Sequence, residues 1–339
     1  MQVFALLGGA VGLYVLTAGA DFGGGVWDLL ARGPRRERQR ELVAEAIAPI
    51  WEVNHIWMIF VVVVLFSVFP DAFAVVSTAL HIPIVLALVG IVLRGSAFVF
   101  RAYGLQPNET RARWGRVFAW ASALTPVFLG MIVAAVSSGA IELSADSHGN
   151  VYASSGFLAG WTTPFAIAVG VFSLALFALL AAVYLAREAE LAGEPQLSDD
   201  FRRRALLSEL VAFCLALLVL WRARVESPTL YTNLLEAPWS IPAQLLTAAL
   251  AGGAIVALLG GRSKLARMLV MAQVACIVLG WGLAMDGHLL LPGLRVEQAG
   301  AEPAVLAALP WVLLGGSLLF APALVWLFRV FKTDSSRSA

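Results

Sequence analysis

Nine long apolar segments run through the sequence, and they constrain its fold more than any other feature. A helix that crosses the hydrocarbon core of a bilayer needs about 20 mostly apolar residues. Such segments predict an all-α polytopic membrane protein whose residues 1–339 form a single transmembrane domain. The predicted transmembrane helices are residues 3–30, 47–69, 75–100, 117–139, 160–186, 205–220, 241–261, 268–286 and 305–330.

The composition of the chain agrees with a membrane protein. Of the 339 residues, 60% are hydrophobic and 13% are charged, whereas soluble proteins have about 45–50% and 25%. A net charge of +1 provides no basic surface for nucleic acid. The two cysteines, Cys214 and Cys276, both lie within apolar runs and suit neither a disulfide framework nor a zinc site.

Lysine and arginine are distributed unevenly among the loops, and this predicts the orientation of the chain. Of the 23 lysines and arginines, 19 lie in the first, third, fifth and seventh loops and the C-terminal segment. Because short cytoplasmic loops are rich in these residues, we expect the N-terminus outside and the C-terminus in the cytoplasm. Residues 35–46 predict a short amphipathic helix on the cytoplasmic surface, with Leu42, Val43 and Ala46 facing lipid.

Ionisable residues inside the predicted spans are costly and are therefore candidates for function. Asp21 precedes three glycines at 23–25, which indicate a broken helix or the close approach of another backbone or a cofactor; tight helix packing is the alternative. Arg94 needs a carboxylate partner, and Asp21 and Glu52 are available. Arg101 is expected to extend its charge to the membrane surface.

The second span opens with the densest polar cluster, formed by Trp51, Glu52, Asn54, His55 and Trp57. Glu52 and His55 are three residues apart and share one helix face. A carboxylate and an imidazole at this depth could pass protons. The alternative is a structural pair that closes the end of the helix.

Haem between helices would need several histidine or methionine ligands on facing spans. The chain has four histidines. His55 and His81 lie well inside predicted spans, near opposite membrane faces, so we expect no haem or metal ligand from this chain.

Residues 47–57, IAPIWEVNHIW, resemble the pattern I-[GA]-P-x-W-D-G-N-[EQ]-V-W of the cytochrome bd-type quinol oxidase subunit II family. The glycine-rich stretch after Asp21, the arginine loop, Phe69-Pro70 and residues 93–101 follow in the family's order and spacing. Glu52 stands where the family has Asp, and His55 where it has Glu or Gln, which marks a divergent member.

This resemblance implies a haem-free subunit II of a terminal oxidase in the bacterial inner membrane. Such an enzyme reduces oxygen to water with electrons from quinol, and its subunit I holds b- and d-type haems. The family's tryptophan–carboxylate pair falls on Trp51 and Glu52, where the carboxylate belongs to a proton path from the cytoplasm. A small accessory subunit and a bound quinone or membrane lipid remain open, and no nucleic-acid partner is expected.

Two other functions remain open from the sequence. One is a proton-coupled transporter with Glu52, His55 and Arg94 in its substrate path. The other is an accessory scaffold subunit without a proton role. A haem-bearing partner that co-purifies with the chain would favour the oxidase.

Overall fold

The computed structural model describes residues 2–47, 51–103, 108–148, 151–297 and 299, with isolated positions between 305 and 322. The described helices are α1 Gln2–Leu29, α2 Arg36–Ile47, α3 Trp51–Val68, α4 Pro70–Ala79, α5 His81–Tyr103, α6 Asn108–Ser138, α7 Pro164–Leu191, α8 Pro195–Glu226, α9 Pro228–Glu236, α10 Ser240–Leu259 and α11 Ser263–Ala284.

 Two antiparallel hairpins lie next to each other on one side of the bundle. Between α6 and α7, β1 Leu143–Ala145 pairs with β2 Val151–Ala153, and after α11, β3 His288–Leu290 pairs with β4 Leu294–Arg295.

Seven of the described helices are long and apolar enough to cross a membrane, namely α1, α5, α6, α7, α8, α10 and α11. Helices α3 and α4 form a bent pair with an angle of 119° between them, and this pair could supply one more span. The prediction of a polytopic helical membrane protein is therefore confirmed. The predicted span 305–330 lies outside the described residues, apart from isolated positions, so the count of nine stays a prediction.

Several predicted helix bounds are wrong. The predicted span 75–100 joins the end of α4 to α5, because the apolar character of the chain continues through the bend between them. The predicted span 205–220 is too short, since α8 extends from Pro195 to Glu226. The two ends of α8 are polar and lie at the surfaces of the bundle. A search for apolar segments therefore does not detect that the helix continues there.

Helix α7 forms the centre of the bundle and packs against α1, α6, α8 and α11. Most of its side chains between Ala175 and Ala189 are buried, and many of them are alanines. Helix α1 is continuous through its three glycines, so the expectation of a broken helix is wrong. A Cβ atom at Gly23 would lie 1.9 Å from the backbone oxygen of Phe177 in α7, which confirms the close approach of another backbone.

Helix α2 packs into the protein. Leu42 and Val43 are 3% and 1% exposed and belong to the same hydrophobic core as α1 and α7, and Ala46 packs against this core. The prediction that they face lipid is therefore wrong, because the polar side of α2 is occupied by ion pairs to neighbouring loops. Arg38 contacts Glu194 at 2.6 Å, and this hydrogen-bonded pair holds the pKa of Glu194 below its usual value.

The loops gather into two groups at opposite ends of the bundle. At one end, which we call the basic face, the segment after α1 meets the α7–α8 connection, and Arg202 donates to the carbonyl of Leu258 at the end of α10. At the other end, Asn233 of α9 donates to the carbonyl of Ala284 in α11. Loops that the charge pattern assigns to the same side of the membrane thus lie at the same end of the bundle. Which end faces the cytoplasm stays a prediction.

Candidate functional site

Two arginine–aspartate pairs connect α5 to α1. Arg94 donates to Asp21, and NH1 of Arg101 donates to Oδ1 of Asp28 at 3.0 Å. The partners are 73 residues apart in both pairs, which shows that the two helices run parallel. Since seven helical residues rise about 10 Å, the pairs form two successive bridges between α1 and α5.

The inner pair is fully enclosed. The exposed fraction is 1% for Arg94 and 6% for Asp21. The guanidinium of Arg94 lies over the rings of Phe22 and Phe118, with its carbon 4.9 and 5.4 Å from their centroids. Of the two carboxylates predicted to be available to Arg94, Asp21 is thus its partner. The side chain of Glu52, the other one, lies outside the described residues.

The outer pair adds Asp28 to the site. Arg101 pairs with Asp28, and its side chain is 20% exposed, so the extension of its charge to the membrane surface stays a prediction. Asp28 is 2% exposed and also lies 3.9 Å from Arg40. Sequence reasoning missed Asp28, although the seven-residue spacing of Asp21 and Asp28 matches that of Arg94 and Arg101 and could have revealed it.

Helix α3 brings two further predicted residues to this region. Asn54 is buried, and its Nδ2 atom donates to the carbonyl of Thr17 at 3.4 Å. The ring of His55 lies 6.1 Å from Tyr14 and 6.0 Å from Phe22 between centroids. Among the other predicted site residues, Trp57 packs against the core, and the side chains of Trp51 and Glu52 lie outside the described residues.

Several buried polar atoms in this cluster have no hydrogen-bond partner within the described part of the chain. They are Oδ2 of Asp21, Nε and NH1 of Arg94, both ring nitrogens of His55, and the hydroxyl oxygen of Tyr14. Buried polar atoms in proteins are bonded to other groups or to ordered water as a rule. The cluster therefore has the chemistry of a hydrated site inside the membrane domain.

A cavity of about 160 Å³ reaches this cluster. Its lining includes Asp21 and Asn54, and also Tyr184 and Arg267. Arg267 lies in the first turns of α11, close to the basic face, with its guanidinium carbon 4.6 Å from the centroid of Tyr184. The cavity thus extends from the buried carboxylate towards the basic face.

The described residues do not fit a haem. His55 contacts Tyr14 and Phe22, whereas Nδ1 of His81 lies 2.9 Å from the carbonyl oxygen of Thr78, so the two imidazoles do not face each other. The cavity is also smaller than the roughly 300–1,000 Å³ of typical cofactor sites. Within the described ranges, no group of three or more potential metal ligands occurs. The absence of haem ligands from this chain stays a prediction.

Comparisons with known proteins agree on one family. A protein of Bacillus subtilis (strain 168) named as a cytochrome bd menaquinol oxidase subunit II is 24% identical over 336 residues, which cover 97% of this chain and 94% of the relative. The cytochrome bd-I ubiquinol oxidase subunit 2 of Escherichia coli (strain K12) is 26% identical over 213 residues, which cover 61% of this chain and 53% of the relative.

A solved structure of a bd oxidase from Geobacillus thermodenitrificans contains a chain with the same fold. The TM-score is 0.77 at 22% identity, and the match covers 98% of this chain and 99% of that chain. The family model described as cytochrome bd terminal oxidase subunit II matches residues 1–331. The chain therefore belongs to the cytochrome bd terminal oxidase subunit II family.

Proposed function

We propose that this chain is the haem-free subunit II of a quinol:oxygen oxidoreductase in the bacterial cytoplasmic membrane. Its family membership supports a place in a terminal oxidase complex, and relatives named as menaquinol and ubiquinol oxidase subunits support quinol as the electron donor. The haems and the quinol-oxidising site belong to subunit I in this proposal. This chain supports subunit I and conducts protons towards it from the cytoplasm.

One observation carries the proton-path proposal: a cavity is lined both by Asp21 and by Arg267 near the basic face, and it adjoins buried polar atoms that lack partners among the described residues. Ordered water can bridge such groups and relay protons between them. Arg94 keeps the Asp21 carboxylate in place through Oδ1. The Oδ2 atom then remains able to accept a hydrogen bond from water in the path.

Glu52 is the proposed entrance of the path. It lies in α3, two residues before Asn54 and three before His55. Residues three apart share a helix face, so Glu52 lies about one turn from a residue of the polar cluster. In this proposal Glu52 holds and releases the proton, His55 assists, and Trp51 maintains the geometry of Glu52.

The substitution Glu52→Gln tests this role, because it keeps the shape of the side chain and removes its titratable proton. We expect the complex to assemble with normal haem content and to consume oxygen more slowly. General acid–base groups contribute about 10²–10⁴-fold, and a parallel water path would reduce the effect. Oxygen consumption with saturating quinol is the measurement.

Glu52→Asp is the matched control, since it retains a carboxylate and should keep most of the activity. A Glu52→Gln complex that turns over at the parental rate at every pH would refute the proton role and leave a structural one. Co-purification in mild detergent tests the assembly separately. A chain that folds and transports a solute without a haem-bearing partner would contradict the oxidase proposal itself.

A further inference from the structure

A second pocket, of about 240 Å³, opens on the basic face between the end of α1 and the starts of α2 and α8. Its charged lining consists of four arginines and one aspartate, namely Arg32, Arg35, Arg203, Arg204 and Asp200. The pocket therefore has an excess of positive charge. We call it the arginine pocket, and it is separate from the cavity at Asp21.

The one aspartate of the arginine pocket already has its partners. Asp200 accepts two hydrogen bonds from Arg35, at 2.7 and 2.8 Å, and one from Gln39 at 3.1 Å. Among the described residues, no carboxylate forms a salt bridge with Arg32, Arg203 or Arg204. Three arginine charges are thus available to an anion.

Arg204 is held in a fixed position by its neighbours. Its guanidinium carbon lies 5.3 Å from the ring centroid of Trp27 and 5.0 Å from that of Phe201. Its NH2 atom donates to Oε1 of Gln39 at 2.7 Å. These contacts place the positive charge of Arg204 in the pocket wall before any ligand arrives.

The position of the arginine pocket indicates where the anion comes from. Helices α1 and α8 are both candidate spans, so a pocket at their adjoining ends lies at the bilayer surface. Basic pockets between the ends of transmembrane helices bind the head groups of anionic lipids. On α8, Leu207 and Leu210 follow Arg203 by four and seven residues on the same face, and they are 58% and 61% exposed.

We propose that the arginine pocket binds a phosphate group, and that an anionic phospholipid of the membrane supplies it. Guanidinium groups match phosphate oxygens in charge and geometry and bind them through paired hydrogen bonds. Arg32 and Arg203 are exposed and contact the phosphate from the rim, and Arg204 adds its positive charge from the wall. The acyl chains lie along the apolar face of α8 that begins at Leu207.

The test uses the purified oxidase complex after removal of its lipids in detergent. Phosphatidylglycerol, phosphatidylcholine and inorganic phosphate are each titrated in, and binding is followed by the rise in thermal unfolding temperature and by mass spectrometry of retained lipid. We expect phosphatidylglycerol to bind best. Replacing Arg203 with Gln should weaken its binding about fivefold, and R32Q/R203Q about 25-fold, since each surface arginine adds a similar increment.

The double variant R36Q/R262Q is the matched control. It removes two exposed arginines near the basic face that do not line the arginine pocket, and phosphatidylglycerol binding should remain unchanged. Equal weakening in both double variants would overturn the proposal in favour of general surface attraction. Equal stabilisation by inorganic phosphate would overturn the lipid as the source, and the absence of any phosphatidylglycerol effect would overturn the site.

Discussion

At the scale of single residues, the central feature of the site is the buried ion pair between Arg94 and Asp21. Charges inside a membrane domain are costly unless they are paired. Both partners lose their hydration when they are buried, so such a pair adds little net stability, whereas the loss of one partner leaves an uncompensated charge. The role that this asymmetry leaves for the pair is to position the Asp21 carboxylate in the wall of the cavity.

This energetic asymmetry predicts the outcome of a double-mutant cycle. Asp21→Asn and Arg94→Gln should each lower the free energy of unfolding by about 3–5 kcal/mol. The double variant should lose less than the sum of the two, because it leaves no unpaired charge. Thermal unfolding of the complex in detergent measures all three.

The exposed pair between Arg295 and Asp286 provides the control for this cycle. Its side chains are 47% and 68% exposed, and surface pairs of this kind contribute about 0–1 kcal/mol. Asp286→Asn should therefore have a small effect, and it leaves the hydrogen bond from Arg295 to His288 in place. Strictly additive losses at Asp21 and Arg94 would show that the two charges are not coupled in the membrane domain.

The two histidines of the spans give a further prediction at the scale of residues. His55→Ala and His81→Ala should each leave the haem absorption spectrum of the assembled complex unchanged, because the two imidazoles do not face one another. Absorption spectroscopy of reduced and oxidised complex is the measurement. If an assembled variant lost one haem band, this chain would supply an axial ligand after all.

At the scale of helices, the approach of α1 to α7 depends on glycines at one face of α1. Gly19 and Gly23 lie four residues apart, and both would place a Cβ atom within 2.8 Å of α7 atoms. Small residues at this spacing allow helices in membranes to pack closely. The contact also positions Asp21, which lies between the two glycines.

Gly23→Ala should disrupt this contact. Its Cβ atom would meet the backbone oxygen of Phe177 at 1.9 Å, and a backbone cannot move aside as a flexible side chain can. We expect a lower unfolding temperature and a lower yield of assembled complex. The measurement is thermal unfolding together with the haem content of the purified sample.

Gly12→Ala is the matched control, because no atom lies within 4 Å of the Cβ position there. Alanine is favoured over glycine in helices by about 1 kcal/mol, so this variant should be at least as stable as the parent. If both variants behaved alike, close packing at Gly23 would not limit the assembly of α1 and α7.

At the scale of the whole molecule, the sequence predicts the helical membrane architecture because its apolar runs have about the length that a helix needs to cross a bilayer. It also identifies Asp21 as an available partner of Arg94, since a buried charge requires one. The burial of Leu42 and Val43 could not be predicted, because the sequence pattern of apolar side chains is the same whether they face lipid or protein. The bend between α3 and α4 also could not be predicted, because the hydropathy of a segment does not show in which direction its helix axis runs.

The gathering of loops at the two ends of the bundle supports the final prediction, which concerns orientation. The segment after α1 contacts the α7–α8 connection through Arg35 and Asp200, whereas the β1–β2 hairpin belongs to the opposite end. Since lysine and arginine are retained in cytoplasmic loops, a cysteine after Arg36 or near Lys332 should be labelled only from the cytoplasm. A cysteine near His148 should react with a membrane-impermeant reagent from outside. Labelling of the His148 position from the cytoplasm would mean that the basic face lies outside the cell. The cavity at Asp21 extends towards the basic face, so proton entry from the cytoplasm would then be refuted.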